Sequence, residues 1–139
     1  MTTLEFTLRL LTALFSGMLI GIERQWHHKS AGLRTNTLVA TGAALFVLLS
    51  INLTQGQGDV TRIIGQVVTG IGFIGAGIIF KEGISVHGLT TAATVWCSSA
   101  IGSIAAAGYY IETLIGVTAI VSVNIILIPL DKWLSDGKE

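Results

Sequence analysis

Ile63-Ile64-Gly65-Gln66-Val67-Val68-Thr69-Gly70-Ile71-Gly72-Phe73-Ile74-Gly75-Ala76-Gly77-Ile78-Ile79-Phe80 contains no Asp, Glu, Lys or Arg. Leu38 to Leu53 and Leu89 to Tyr110 are equally free of charge. Such runs have no polar face to turn toward water at either a helical or a strand period. A hydrocarbon core about 30 Å thick is crossed by roughly 20 apolar residues in a helix. The quoted stretch therefore reads as a membrane-spanning helix, and the rest of the chain is read outward from it.

The whole sequence agrees. Of 139 residues, 12% are charged and 51% belong to the apolar set, with a mean hydropathy of +0.75. The usual charged share of a soluble domain is about 25%. A soluble chain this small must cover a large surface with polar groups, and these runs leave none to do it. Eight Lys and Arg balance eight Asp and Glu, which gives no basic footprint for nucleic acid. The single cysteine, Cys97, excludes a disulfide framework and a Cys-rich metal site.

Five spans result, over 4–22, 35–53, 63–80, 89–107 and 110–130, forming a single all-α membrane domain over 1–139. The runs are continuously apolar instead of alternating, which excludes a β-barrel. The first span has Glu5 near its start, no basic leader and no small-residue cleavage site, so it reads as a retained anchor. Glu5 and Arg9 stand four residues apart and are expected to pair. Lys and Arg alone set orientation. Arg24, Lys29, Arg34, Lys81, Lys132 and Lys138 fall on one side, and Arg9 and Arg62 on the other. This puts the C-terminus in the cytoplasm and the N-terminus outside. Tyr109 and Tyr110 then lie at the outer interface and Trp133 at the inner one.

Gly70-Ile71-Gly72-Phe73-Ile74-Gly75 matches a dinucleotide-binding spacing, but it lies inside an uncharged span with no acid about 20 residues on. Helix packing accounts for it better, because small residues let helix backbones approach within a bilayer. Gly17, Gly21, Gly70, Gly72, Gly75 and Gly77 are assigned that role, as are Ser98, Gly102 and Ala106. Ala31-Gly32-Leu33-Arg34-Thr35 and His87-Gly88-Leu89-Thr90-Thr91 are similar, and at the same spacing Gly21 falls on Gly77. Spans 1–2 and 3–4 are thus candidate parallel hairpin repeats, with a fifth helix added. In both segments Thr is expected to cap the following helix.

The charges that need a reason gather where span 1 ends. Glu23 is followed by Arg24, His27, His28, Lys29 and Arg34. The histidines and Lys29 read as a solvated interfacial loop, without an acid or Cys at metal-ligand spacing. Mg²⁺ takes oxygen ligands and keeps several waters, and one carboxylate makes a poor dedicated site for it. The metal assignment is therefore open, and no cofactor is expected. Gln66, Thr69, Thr94, Ser98, Ser99 and Asn124 are expected to hydrogen-bond between helices. Cys97 reads as a small apolar residue at mid-span. Glu23, Arg24, Arg34, Thr35, Thr90 and Thr91 are expected to form one polar cluster at the cytoplasmic helix ends. Arg24 and Arg34 would hold either Glu23 or a lipid phosphate there. The cluster would act as a binding site or as a conformational lock.

One series of segments runs Gly21-Ile22-Glu23-Arg24, Ala31-Gly32-Leu33-Arg34-Thr35 with Leu38, Val39 and Gly42, and Asp59 with Arg62 and Ile63. It continues as Gln66-Val67-Val68-Thr69-Gly70-Ile71-Gly72-Phe73-Ile74-Gly75-Ala76-Gly77 and Gly88-Leu89-Thr90-Thr91-Ala92-Ala93-Thr94-Val95-Trp96. Together these segments resemble the MgtC/SapB family of bacterial inner-membrane proteins. The resemblance covers nearly the whole chain. It implies a role in growth at low Mg²⁺, in membrane-energy homeostasis and, in pathogens, in survival inside host cells. It also implies modulation of other membrane proteins, ion-transporting ATPases among them. Many members carry a C-terminal ACT-like domain; ending at Glu139, this chain is expected to be a short form without it.

Two readings of function follow: a non-enzymatic membrane modulator, and a small ion or solute transporter or channel. No Ser/His/Asp or Cys/His set suggests an enzyme, and no acid or base sits at the centre of a span. The small-residue faces exceed the needs of one bundle, so a homodimer is expected.

Overall fold

A computed structural model describes residues 1–54 and 58–136. Lys138 and Glu139, used above for orientation and chain length, lie outside the described residues.

Five helices carry the chain: α1 (Thr3–Trp26), α2 (Leu33–Thr54), α3 (Thr61–Ile78), α4 (Leu89–Ala107) and α5 (Tyr110–Asp136). Each is long and apolar enough to cross a membrane. The fold is all-α except for one small hairpin between α3 and α4.

Helix ends follow local chemistry. Thr2 and Glu5 close a capping box at the start of α1, with Glu5 N–H donating to Thr2 Oγ1 at 3.2 Å and Thr2 N–H to Glu5 Oε2 at 2.8 Å. The expected Glu5–Arg9 pair gives way to this box. Arg9 reaches instead to the Ala106 carbonyl at 3.0 Å, placing a cation at the C-terminus of α4, where the helix dipole favours it. α1 runs past residue 22 to Trp26, because Glu23 and Arg24 remain helical and buried. It closes with His28 N–H to the Gln25 carbonyl and Lys29 N–H to the Arg24 carbonyl, both 3.0 Å, around His28 at φ 54°. Before α3, Asp59 accepts from the Thr61 N–H at 2.9 Å and from its hydroxyl. These bonds hold the Asp59 carboxyl below its ordinary range.

The threonines do not cap α2 and α4. Those helices begin at Leu33 and Leu89, so Thr35 and Thr91 already lie inside the first turn. The Leu33 N–H is taken instead by Gln25 Oε1 of α1 at 3.2 Å. α4 starts from Gly88 at φ +87°, where a Cβ would run into the Ile78 carbonyl. The stretch before it is not a plain loop. β1 (Phe80–Glu82) and β2 (Ser85–His87) pair antiparallel, with Phe80 opposite His87 and Glu82 opposite Ser85. Gly83, at φ +59°, opens the two-residue turn.

Helices α1, α2 and α4 pack against one another, and α4 is the most buried of the five. Their meeting point is Ala40, fully buried. A Cβ on Gly17 of α1 would come within 2.8 Å of Ala40 Cβ, and one on Gly102 of α4 within 2.9 Å of Ala40 Cα. Above and below, Ala13, Ala44, Val47, Leu48 and Ala105 fill one cluster, and Ile20, Ile101 and Val117 another. α3 stands at the periphery with Ile71 as its buried residue. Its glycines depart from the packing expectation. Gly70, Gly72 and Gly77 have nothing within 4 Å, and Gly75 has only Ala92 Cβ at 3.9 Å. Gly17 and Gly21, by contrast, lie directly on α2. The two hairpins therefore differ in packing, Gly21 being closed against Leu33 where Gly77 is open.

Candidate functional site

The buried charges Glu23 and Arg24, with buried Asn36, Thr91 and Thr94, lie toward one end of the bundle, where α1 finishes and α2 and α4 begin. Successive positions on α1 face different neighbours because an α-helix advances about 100° per residue. Glu23 consequently turns to α5 and Arg24 to α4.

Glu23, 7% exposed, accepts at Oε2 from Asn124 Nδ2 of α5 at 3.0 Å. His27 lies one turn further along α1. Its Nδ1 is 2.9 Å from the Glu23 carbonyl and 3.1 Å from Glu23 Oε1. Of the two oxygens the carbonyl is the nearer, and Oε1 is buried without a hydrogen bond. The one hydroxyl hydrogen of Thr94 on α4 is shared between the Thr90 carbonyl at 2.9 Å and, more weakly, Asn124 Oδ1 at 3.4 Å. The chain Glu23–Asn124–Thr94 thus ties α1, α5 and α4 together.

Arg24, 2% exposed, donates through Nη2 to Thr91 Oγ1 at 2.7 Å. Ser30, in the α1–α2 connection, donates to the same oxygen at 3.5 Å. A third tie joins α2 to α4. Fully buried Asn36 donates to the Ala31 and Gly32 carbonyls at 2.7 and 3.0 Å and accepts from the Ser98 hydroxyl at 2.8 Å. Buried amides and hydroxyls in hydrocarbon must find partners, and these three sets satisfy most of them between helices.

Of the six residues expected to cluster, Arg24 meets Thr91 directly, whereas Glu23 faces Asn124 of α5. Thr90 is exposed and contributes its carbonyl alone. Arg34 is exposed, and among the described residues no ion pair joins it to Glu23. Thr35 is half-buried and its side chain takes no part in the network. Arg34 lies two positions before Asn36, about 200° around the helix, so a buried Asn36 turns Arg34 outward. Asn36, His27, Ser30 and Gln25 are contributors that the sequence reading left out. Asn36 carried the available signal, an amide early in a span, over 35–53, that holds no charge. Gln66 and Thr69 make no interhelical bond among the described residues; Thr69 donates to the Gly65 carbonyl of its own helix at 2.9 Å.

Among the described residues no three His, Cys, Asp or Glu side chains converge on a common point. Glu23 and His27 supply two candidate ligand groups. Chemically the set is a carboxylate, a guanidinium, an imidazole, amides and hydroxyls that hold helix ends in register. A wide groove lies elsewhere, between α2 and α3. It has a volume of about 660 Å³, and Leu38, Gly42, Phe46, Gln66 and Gly70 are among its walls, with Ser99 of α4 at its back.

The family model described as "MgtC family" matches residues 10–133. The chain is 54% identical over 118 residues to Protein MgtC of Brucella abortus, which covers 85% of this chain and 49% of that one. It is 49% identical over 127 residues to Protein MgtC of Salmonella typhimurium, covering 91% and 54% of the two. An uncharacterised protein of Synechocystis is 50% identical over 131 residues, covering 94% and 56%. The chain spans about half the length of the curated relatives it matches. No solved structure matches it.

Proposed function

The chain belongs to the MgtC family, and from that premise we propose that it serves adaptation to low magnesium and membrane-energy homeostasis by modulating other membrane proteins, ion-transporting ATPases among them, without catalysing a reaction. Family membership supports a place in the bacterial inner membrane, and the uneven spread of Lys and Arg favours an N-terminus outside and a C-terminus in the cytoplasm. Lipid headgroup phosphate is the natural neighbour of exposed Arg34 on that side.

One observation carries the reading. The polar ties close the α1–α2–α4 core, while α3 and the β1–β2 hairpin project from it, with Phe73 86% and Ile84 99% exposed. A rigid core with a projecting helix and hairpin suits contact with other proteins better than passage of a solute.

The test is reconstitution of the purified full chain in liposomes, alongside complementation of a deletion strain at low Mg²⁺. The expected result is restored growth without protein-dependent ion flux. Flux that scales with the amount of protein would replace the modulator by a transporter. For orientation, a fluorescent reporter fused after Glu139 should be bright, and a periplasmic phosphatase fused there inactive.

A further inference from the structure

The guanidinium of Arg24 stands where a cation is least at ease. Arg24 is 2% exposed and donates through Nη2 to Thr91 Oγ1, in the first turn of α4. That turn is the positive end of the α4 dipole. The end of α1, where the dipole is negative, accounts for a basic residue at position 24 but not for its turning toward α4. Buried charges are ordinarily paired. Among the described residues no carboxylate contacts this one: Glu23 turns to Asn124 and His27, and Glu82 to His87.

The groups around Arg24 are donors short of an acceptor. Nε and Nη2 form one edge of the planar guanidinium, with parallel N–H bonds. Thr91 takes Nη2, and Nε is buried with no hydrogen bond. The Thr91 hydroxyl, itself buried, accepts from Arg24 and from Ser30 at 3.5 Å, and its own hydrogen has no acceptor among the described residues. Thr37, Thr69 and Thr118 differ, each giving its hydrogen to the carbonyl four residues back. α4 has no side-chain cap, since Gly88 stands at its N-cap. Its first N–H with a backbone acceptor is that of Ala92, bonded to the Gly88 carbonyl at 2.8 Å, so those of Leu89, Thr90 and Thr91 precede the ladder. Ser30 is exposed, and the cluster reaches the surface through it.

A bound anion answers all of these at once. It neutralises the buried cation, sits favourably at the helix N-terminus and accepts the spare hydrogens. A phosphate group suits the set best, because its oxygens diverge toward a guanidinium edge, two hydroxyls and backbone N–H groups together. We propose that Arg24, Ser30, Thr91 and the N-terminus of α4 bind a phosphate group, carried by a free phosphate or by the headgroup of a lipid in the adjoining leaflet. The site is independent of the modulator reading, since a transporter with this fold would hold it equally.

The test is thermal unfolding of the purified full chain. In detergent, inorganic phosphate is titrated against chloride at matched ionic strength, because a ligand of the folded state raises the midpoint with its concentration. In phosphate-free buffer, vesicles of phosphatidylcholine alone are compared with vesicles that also contain phosphatidylglycerol. A saturable rise with inorganic phosphate supports the site with a free ligand, and a rise confined to phosphatidylglycerol supports it with a lipid. Ser30→Ala leaves the Arg24–Thr91 bond in place, and Ser30 is exposed, so the variant is expected to fold. It should raise the concentration of phosphate or phosphatidylglycerol at half-effect by about threefold to tenfold, the loss of one hydrogen bond. Lys29→Gln removes the exposed charge beside it and should leave that concentration unchanged. No rise above chloride in detergent and none with phosphatidylglycerol overturns the proposal. So does a rise that Lys29→Gln removes and Ser30→Ala leaves intact, which would belong to a diffuse basic surface.

Discussion

Asn124, midway along the last helix, donates to Glu23 across 3.0 Å and 101 positions of sequence. The bond is the polar tie between α5 and α1. α5 is otherwise lightly held, with Thr113 and Val117 among its few buried positions. Asn124 can do this because its two amide ends point to different helices, the NH₂ to α1 and the carbonyl to α4. Pro129 follows about a turn later and removes a backbone bond from the same helix. The anchor thus precedes the point where α5 is weakest.

Asn124→Leu should consequently destabilise the protein more than its apolar character suggests. It leaves Glu23 buried with neither carboxylate oxygen hydrogen-bonded. Interhelical bonds in bilayers contribute about 0.6–1.7 kcal/mol, and an orphaned buried acceptor adds to that, so a loss of roughly 1–3 kcal/mol is expected. Asn124→Gln, which keeps both ends of the amide, should lose less. The thermal midpoint in detergent measures both; equal midpoints for Leu and Gln would show that the bond contributes nothing.

Glycine substitutions should divide by location. Gly102→Ala puts a methyl into the backbone of α2 at Ala40 and forces two helices apart. Overpacking of this kind costs about 1–3 kcal/mol. Gly65→Ala meets nothing within 4 Å and gains helix propensity, up to about 1 kcal/mol. The two variants should therefore shift the thermal midpoint in opposite directions. A fall of similar size in both would contradict the packing described for α4.

This division marks how far the sequence could be read. The five spans were legible because a helix in hydrocarbon needs a charge-free run, and charge is visible in sequence. The place of α3 was not. Lipid and protein interiors are equally apolar, so Gly70, Gly72 and Gly77 read like Gly17 and Gly21 although the first three are open and the last two packed. In the candidate site, Glu23, Arg24 and Thr91 were legible as charges and hydroxyls at helix ends. Arg34 and Thr90 were drawn in by proximity along the chain, whereas helix phase turns both outward and turns Asn36 and Thr91 inward. The β1–β2 hairpin was hidden in a connection of only a few residues, where Gly83 was its one strong signal.

His28 closes α1 in the left-handed region, φ 54°, where a glycine would be at ease. Its side chain is exposed, so the conformation is imposed by the turn that carries Ser30 and Ala31 to their partners. His28→Gly should relieve strain of about 1 kcal/mol and raise the thermal midpoint. His28→Val, whose branched side chain suits that region least, should lower it. A lower midpoint for glycine than for valine would refute this account of the turn.

Arg24 and Thr91 offer the sharpest test of the buried network, because one bond of 2.7 Å joins them and each is almost fully buried. Arg24 Nε already lacks a partner, so the guanidinium depends on what Thr91 offers. Thr91→Val keeps the shape and removes the acceptor. A hydrogen bond to a charged group contributes about 1.5–3 kcal/mol, and a loss in that range is expected. Thr91→Ser keeps the oxygen and should cost far less. Arg24→Met keeps much of the volume and removes the cation, so valine at 91 no longer strands a charge. The double variant should then be less destabilised than the sum of the singles, by about 1 kcal/mol or more, as residues in direct contact couple. Thermal unfolding of the four proteins measures the coupling. Additive losses, or a Thr91→Val variant as stable as Thr91→Ser, would remove this bond from the forces that hold α1 to α4.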